Sequence, residues 1–262
     1  MSRVATASAL TEVQSWLSDD DLRRIYSSAY WNDVDEEQKK EFWIEDGDYE
    51  KCRRYLESTK MLAEYFQAER FVRELGRDGL EIVDLAAGIG WSSALLSRVP
   101  CVATVHSVEI SKHRLERLFP HCAAMFDADT RKIRRYLGSF YDVKLPAASI
   151  DVVFLSHAFH HADKPSALLA ECDRILKPNG RIVVVGEHRI GGAAILRRFA
   201  STLIRRRRFV TDFGTLFPPD PVLGDQYYRH SDYKRMFSAT GYELTHVVAP
   251  TGYVTYVADK AG

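Results

Sequence analysis

Between residues 83 and 93 the chain reads VDLAAGIGWSS. An acid, Asp84, closes a short apolar run, glycines follow at positions 88 and 90, and a helix is predicted to begin near Trp91. Glycine lets a backbone approach a ligand with no Cβ in between, and a helix start offers unpaired amide donors. Such a turn alone serves several nucleotide-binding chemistries. The carboxylate narrows them, because aimed into the turn it would repel a pyrophosphate and attract a ligand with cationic groups. Nineteen residues after Gly90, Glu109 ends the next apolar run, where a carboxylate can accept from both hydroxyls of a ribose. Together the two acids predict an adenosine-type ligand with a positively charged tail.

These residues, with VEIS at 108–111 and the stretch LGSFYDVKLPAASIDVVFLSHAFHHADKPSALLAECDRILKPNGRIVVV at 137–185, resemble the class I S-adenosylmethionine-dependent methyltransferases. The similarity is greatest to the branch that includes quinone-biosynthesis and natural-product enzymes, and it covers about residues 80–188. It implies S-adenosylmethionine as cofactor, with Asp84, Ala86, Gly88 and Gly90 around the methionine portion. Glu109 would hold the ribose and Ile110 would lie on one face of the adenine. Ser139 and Phe140 would meet the adenine edge and its other face, while Ser156 and His157 would stand close to the sulfonium. The family usually has glycine where this chain has Ala86 and aspartate where it has Ser139.

Transfer of a methyl group from a sulfonium is an in-line displacement in which charge is quenched, so alignment and exclusion of water provide most of the acceleration. A base is needed only when the acceptor must lose a proton. The candidates are His157, Glu187, His188 and His230, with Tyr227 and Tyr228 as orienting groups. Glu187 and His188 follow the fifth apolar run, at the carboxyl edge where open α/β sheets bind ligands. His160 and His161 are read as buttresses of their loop. After the fourth run stands SHAFHH, without the Asn-Pro-Pro-aromatic tetrad of methyltransferases acting on nucleobase or amide nitrogens, so the expected acceptor is a small organic molecule. The alternatives are a lipid or quinone acceptor at a membrane surface, and a cofactor-binding protein without transfer activity.

Positioning these groups requires a sheet. Apolar runs at 81–86, 103–110, 133–140, 150–157 and 181–188 alternate with helix-length connections, the pattern of parallel strands buried on both faces. Only Pro250, Thr251 and Gly252 separate the last two runs, too few for a parallel crossover, so 242–260 is expected to be an antiparallel hairpin. The predicted fold is a Rossmann-like, doubly wound α/β sheet of seven mostly parallel strands. Residues 1–78 are expected to form an N-terminal helical cap, including one long helix over 49–76. Residues 79–262 form the core, interrupted by a substrate-covering insertion at 189–230. Ser231 is expected to cap the helix over 231–241. The acceptor pocket is expected to draw on Tyr26, Tyr30, Trp31, Phe213, Phe217, Tyr227 and Tyr228.

The 262 residues carry 36 basic and 36 acidic side chains, which argues against a generally basic nucleic-acid binder. Charge is segregated, however: residues 12–50 hold 13 acids and 4 bases, and residues 181–208 hold 8 arginines and one acid. Attraction between these segments is a candidate device for lid closure. Arg205–Arg208 could also touch anionic lipid headgroups. Four cysteines, at 52, 101, 122 and 172, form no CxxC pair and share no zinc-site spacing with histidines, so no metal is expected. With no apolar run of signal-peptide or membrane-span length, a cytoplasmic location is expected.

Overall fold

The apolar runs become one eight-stranded sheet in the computed structural model, which describes residues 10–26, 49–206, 209–220 and 224–260. Its strands are β1 (Gln14–Ser15), β2 (Leu80–Leu85), β3 (Val102–Glu109), β4 (Ile133–Leu137), β5 (Ile150–Ser156), β6 (Leu176–Glu187), β7 (Tyr242–Val248) and β8 (Val254–Lys260). They lie in the order β1-β4-β3-β2-β5-β6-β8-β7. β2 to β6 are mutually parallel, while β8 runs antiparallel to both β6 and β7, as the short connection required. The order reverses between β2 and β5, which opens a crevice at the carboxyl ends of those strands.

Among the described residues the sheet has one strand beyond the seven expected, at one edge. β1 is a two-residue strand parallel to β4, anchored by Trp16, which donates its amide to Leu137 (2.9 Å) and stacks on Tyr136 with ring centroids 4.3 Å apart.

Strand alternation gives the sheet two apolar faces. Val83, Leu85, Val153, Leu155, Ile182 and Val184 pack beneath the helices Pro165–Ile175 and His230–Ala239. Ile82, Val152, Phe154, Val183 and Val185 face the helices Met61–Arg73 and Trp91–Ser97. Every one of these strand residues is fully buried, so each face is covered by helices as parallel sheets require.

The single helix expected over 49–76 is two, Tyr49–Ser58 and Met61–Arg73. The break falls at Lys60, whose φ of 67° puts it in the left-handed region. In the second helix Tyr65, Ala68 and Val72 are buried against the sheet, whereas Phe66 is exposed. At the other end, the N-cap of His230–Ala239 is Arg229 rather than Ser231: Asp232 accepts from the Arg229 amide at 2.9 Å, and Gly241 follows the helix at φ 80°. Most of the acidic segment, residues 27–48, lies outside the described residues, as do Tyr30, Trp31, Arg207, Arg208 and the side chains of Tyr26 and Arg206. Among the described residues no helix is long and apolar enough to cross a membrane, and the four cysteines form no disulfide.

Candidate active site

A cavity of about 710 Å³ opens at the carboxyl ends of β2, β3, β4 and β5. That size is typical of small-molecule and cofactor sites. Ala86, Gly88 and Ser92 form its floor, with Glu109 and Ile110 beside them; Ser139, Phe140, Ser156 and His157 continue the wall. Cys52, Tyr55, Leu56 and Met61, from the N-terminal helices, close one side, and His161, Asp163, Gly224 and Gln226 the other.

The turn after β2 carries two left-handed residues, Ala86 at φ 54° and Gly88 at φ 56°. Glycine adopts this conformation freely and alanine does not, so Ala86 is held there by its surroundings. The Ala87 amide donates to Val108 at 3.0 Å, and Glu109 ties the turn to β3 by accepting from the Gly88 amide at 2.8 Å. Its other oxygen accepts from the amides of Ile110 and Ser111, both at 2.9 Å. Three backbone donors thus fix a nearly buried carboxylate on the cavity wall.

Asp84 and Gly90 lie behind this wall, not on it. Asp84 is fully buried and accepts from Ser92 and Ser93 hydroxyls at 2.7 and 2.6 Å, while its second oxygen, Oδ1, has no hydrogen-bond partner. Burial pushes its pKa up to about 6 against the opposing Ser93 and Ser92 bonds. Gly90 has φ 84°, and a Cβ there would stand 2.2 Å from the Phe119 ring, so this glycine permits the Trp91–Ser97 helix to pack closely.

At the end of β5 the Ser156 hydroxyl is buried without a hydrogen-bond partner. His157 follows in the left-handed region, at φ 52°, its amide donating to Val185 at 2.8 Å. The ring lies over Gly186, where a Cβ would meet it at 2.2 Å; this is why β6 carries glycine inside its valine run. His157 Nε2 comes within 3.2 Å of Glu64 Oε2, off the line of a hydrogen bond. Glu64 is almost fully buried on the Met61–Arg73 helix, and its other oxygen accepts from the Thr251 hydroxyl. Sequence reasoning missed Glu64; the available signal was an acid on the apolar stripe that continues through Ala68 and Val72.

The remaining candidate bases stand off the cavity wall. Glu187 is fully buried, accepts from the Tyr233 hydroxyl at 2.5 Å and faces His160 Nδ1 at 3.2 Å. Burial alone would raise its pKa, but the nearby His160 and the Tyr233 bond outweigh it and hold the carboxyl below its usual range. Burial would likewise lower the His160 pKa, and Glu187 reverses that, leaving it raised. His188 packs between His160 and Tyr253, with its pKa lowered by burial and then by the His160 charge. His230 is farther away, bonded through Nδ1 to the Tyr256 hydroxyl at 3.0 Å and stacked on that ring.

None of the described aromatics expected from the insertion reaches the cavity. Phe213 and Phe217 stack on each other at 5.0 Å, Tyr227 lies against His188, and Tyr228 donates to the Ala162 carbonyl at 2.6 Å. The insertion instead contributes Gly224 and Gln226, with the Gln226 amide donating to the His160 carbonyl at 2.7 Å.

Residues 83–184 match the family described as a methyltransferase domain. Over 103 residues the chain is 36% identical to a dimethylglycine N-methyltransferase of Parasynechococcus marenigrum, a match covering 39% of this chain and 35% of that one. Over 111 residues it is 29% identical to a malonyl-[acyl-carrier protein] O-methyltransferase of Methylococcus capsulatus, covering 42% and 38%. The chain thus spans little more than a third of the length of these curated relatives. A crystal structure of a SAM-dependent methyltransferase from Aquifex aeolicus shares the fold, with a TM-score of 0.52 at 16% identity over 74% of this chain and 90% of that one. Sheet order, reversed final strands and matched segment agree: residues 83–184 are similar to a methyltransferase domain, set in a fold shared with the Aquifex aeolicus enzyme.

Proposed function

We propose that the protein transfers a methyl group from S-adenosylmethionine to a small organic acceptor. The observation that carries this reading is the cavity itself, which joins Gly88, Glu109, Phe140 and Ser156 at the ends of four neighbouring strands. The cofactor supplies an electrophilic methyl group on a sulfonium. The residues fit such a ligand: Glu109 presents a fixed carboxylate to ribose hydroxyls, Ile110 and Phe140 offer apolar faces to adenine, and Ser139 lies at its edge. Ala86 and Gly88 shape the turn around the methionine portion, with the negative charge of Asp84 behind them and Gly90 seating the helix. The unpartnered Ser156 hydroxyl is a free polar group beside the reacting centre.

His157 is the base in this reading, since it alone of the candidate bases lies on the cavity wall, with the Glu64 carboxylate beside Nε2. Glu187 acts through His160 as a positioning residue; His188 and His230 support the shell around it. Residues 1–78 serve as the cap and residues 189–230 as the cover. The names of the two curated relatives give dimethylglycine and malonyl-[acyl-carrier protein] as acceptors, and the first of these favours a small organic acceptor here. Incubation with methyl-labelled cofactor and a panel of small acids, amines, phenols and quinones tests the proposal. Labelled product is expected; tight cofactor binding with no product from any acceptor would favour a cofactor-binding protein instead.

One observation favours a second reading, a lipid or quinone acceptor. On the helix Gly192–Arg206 and just after it, Leu196, Leu203, Ile204 and Phe209 are exposed, close in sequence to the exposed Arg197 and Arg205. Apolar and basic groups on one helix suit an anionic bilayer surface. Sedimentation with phosphatidylserine vesicles should then show binding that high salt weakens; salt-independent absence of binding would remove this reading.

A further inference from the structure

The turn after β5 and the insertion after β6 bring three side chains together, none of which the methyl-transfer reading places at the reacting atoms. His160 Nε2 lies 3.9 Å and His161 Nδ1 lies 3.2 Å from the same oxygen, Asp225 Oδ1. All three ligand atoms fall within 4.8 Å of one another. We propose that His160, His161 and Asp225 form a site for a divalent transition-metal ion on the rim of the cavity.

Two imidazoles and a carboxylate are a donor set suited to zinc, iron or cobalt, leaving further coordination positions open. An ion about 2.1 Å from each ligand would place neighbouring ligand atoms roughly 3.0–3.4 Å apart. One edge of the triangle already has that length, and modest side-chain rotation closes the others. Asp225 Oδ1 is a buried acceptor with no hydrogen-bond partner, so two nitrogens converge on it without satisfying it. A cation at the centre would satisfy it.

The surroundings have the form of a supporting shell for a metal. Glu187 faces Nδ1 of His160, which leaves Nε2 for the ion, and Tyr233 donates to Glu187 in turn. A carboxylate on the far nitrogen of a metal-bound histidine orients the ring and raises its basicity. The bond from the Gln226 amide to the His160 carbonyl clamps the two ligand-bearing segments together. An adjacent His-His pair and a distant aspartate show no metal-site spacing in the sequence, and the expectation of no metal weighed only the cysteines and their spacing to histidines.

His161 lines the cavity, so the open positions of the ion face into it. They would take an anionic oxygen, such as a carboxylate or phenolate of the acceptor. That part rests on the methyltransferase reading; metal binding itself does not.

Titration of the whole chain with cobalt(II), followed by its visible absorption bands, tests the site. Saturable binding of one equivalent, displaced by zinc, is expected. Asp225→Asn and His161→Ala should each weaken it at least tenfold, and Glu187→Gln by about 10–100-fold, with folding of each variant checked by circular dichroism. No saturable binding at millimolar cobalt, or binding undiminished in Asp225→Asn, would overturn the proposal. Calorimetry with S-adenosylmethionine on the same samples keeps the two readings separate: cofactor binding without cobalt binding removes only the metal site, and the reverse removes only the methyltransferase assignment.

Discussion

Glu64, buried on an N-terminal helix, lies 3.2 Å from Nε2 of His157 at the carboxyl end of a central strand. An acid outside the matched methyltransferase segment therefore reaches the residue proposed as base. A carboxylate beside one imidazole nitrogen favours the protonated ring that forms when a base takes a proton. His157→Asn, which tolerates the left-handed backbone at φ 52°, should lower kcat by about 10²–10⁴-fold for an acceptor that must be deprotonated. Glu64→Gln should lower kcat by a smaller factor, with the cofactor Kd unchanged. Equal kcat in both variants and wild type would show that the acceptor needs no base.

Glu109 carries a structural load and, in the proposed function, a binding one. Glu109→Ala leaves the amides of Gly88, Ile110 and Ser111 without their acceptor, so it should weaken cofactor binding at least tenfold and destabilise the fold by about 1–3 kcal/mol. Calorimetry and denaturant unfolding separate the two effects. Glu109→Gln, which retains one acceptor oxygen, should recover part of the stability while affinity stays low. Wild-type affinity in a folded Glu109→Gln would remove the ribose role.

The core was legible because its signals are local. Runs such as Ile82–Val83 and Val152–Phe154 are apolar on both faces, and the short connection at Pro250–Gly252 dictated an antiparallel end to the sheet. Contacts made across long separations were not legible. The helix break at Lys60 was not read, although Ser58 and Thr59 precede it and their hydroxyls donate back to the Tyr55 carbonyl, as such residues do where a helix ends. Glu64 and Asp225 carry no motif; only the folded chain sets them beside His157 and His161. The aromatics of the insertion were misplaced because apolar residues on a covering segment serve its own packing as readily as a pocket, as the Phe213–Phe217 stack shows.

Ala86 is a second place where sequence and backbone disagree. A left-handed alanine costs about 1–2 kcal/mol, and the greater freedom of an unfolded glycine returns about 0.4–1 kcal/mol of that. Ala86→Gly should therefore stabilise the protein by about 0.5–1 kcal/mol, seen as a rise in denaturation midpoint with an unchanged slope. Cofactor affinity should hold or improve, since the turn already adopts the glycine conformation. Destabilisation would mean that the methyl group makes packing contacts worth more than the strain.

In the proposed function, the position of Asp84 ties stability to cofactor binding through pH. Its pKa is raised from 3.8 to about 6 in the folded chain, chiefly by burial. Between these values the folded state holds a proton that the unfolded state has lost, so this group makes stability fall as pH rises from about 4 to 6. Above that the penalty is constant, at roughly 2–3 kcal/mol. A cationic ligand reverses the preference by favouring the carboxylate, so cofactor affinity should strengthen as pH rises through about 6, with proton release on binding below it. Asp84→Asn keeps an acceptor for Ser92 and Ser93 but removes the charge. It should raise stability at pH 7.5 by about 1–3 kcal/mol, reduce the pH slope, weaken cofactor binding, and abolish its dependence on pH in this range. Calorimetry at pH 5.5 and 7.5 in two buffers of different ionisation heat measures the proton release directly. If the wild-type chain binds cofactor equally at both pH values with no proton exchanged, Asp84 is already ionised in the free protein, and its buried charge is held by Ser92 and Ser93 alone.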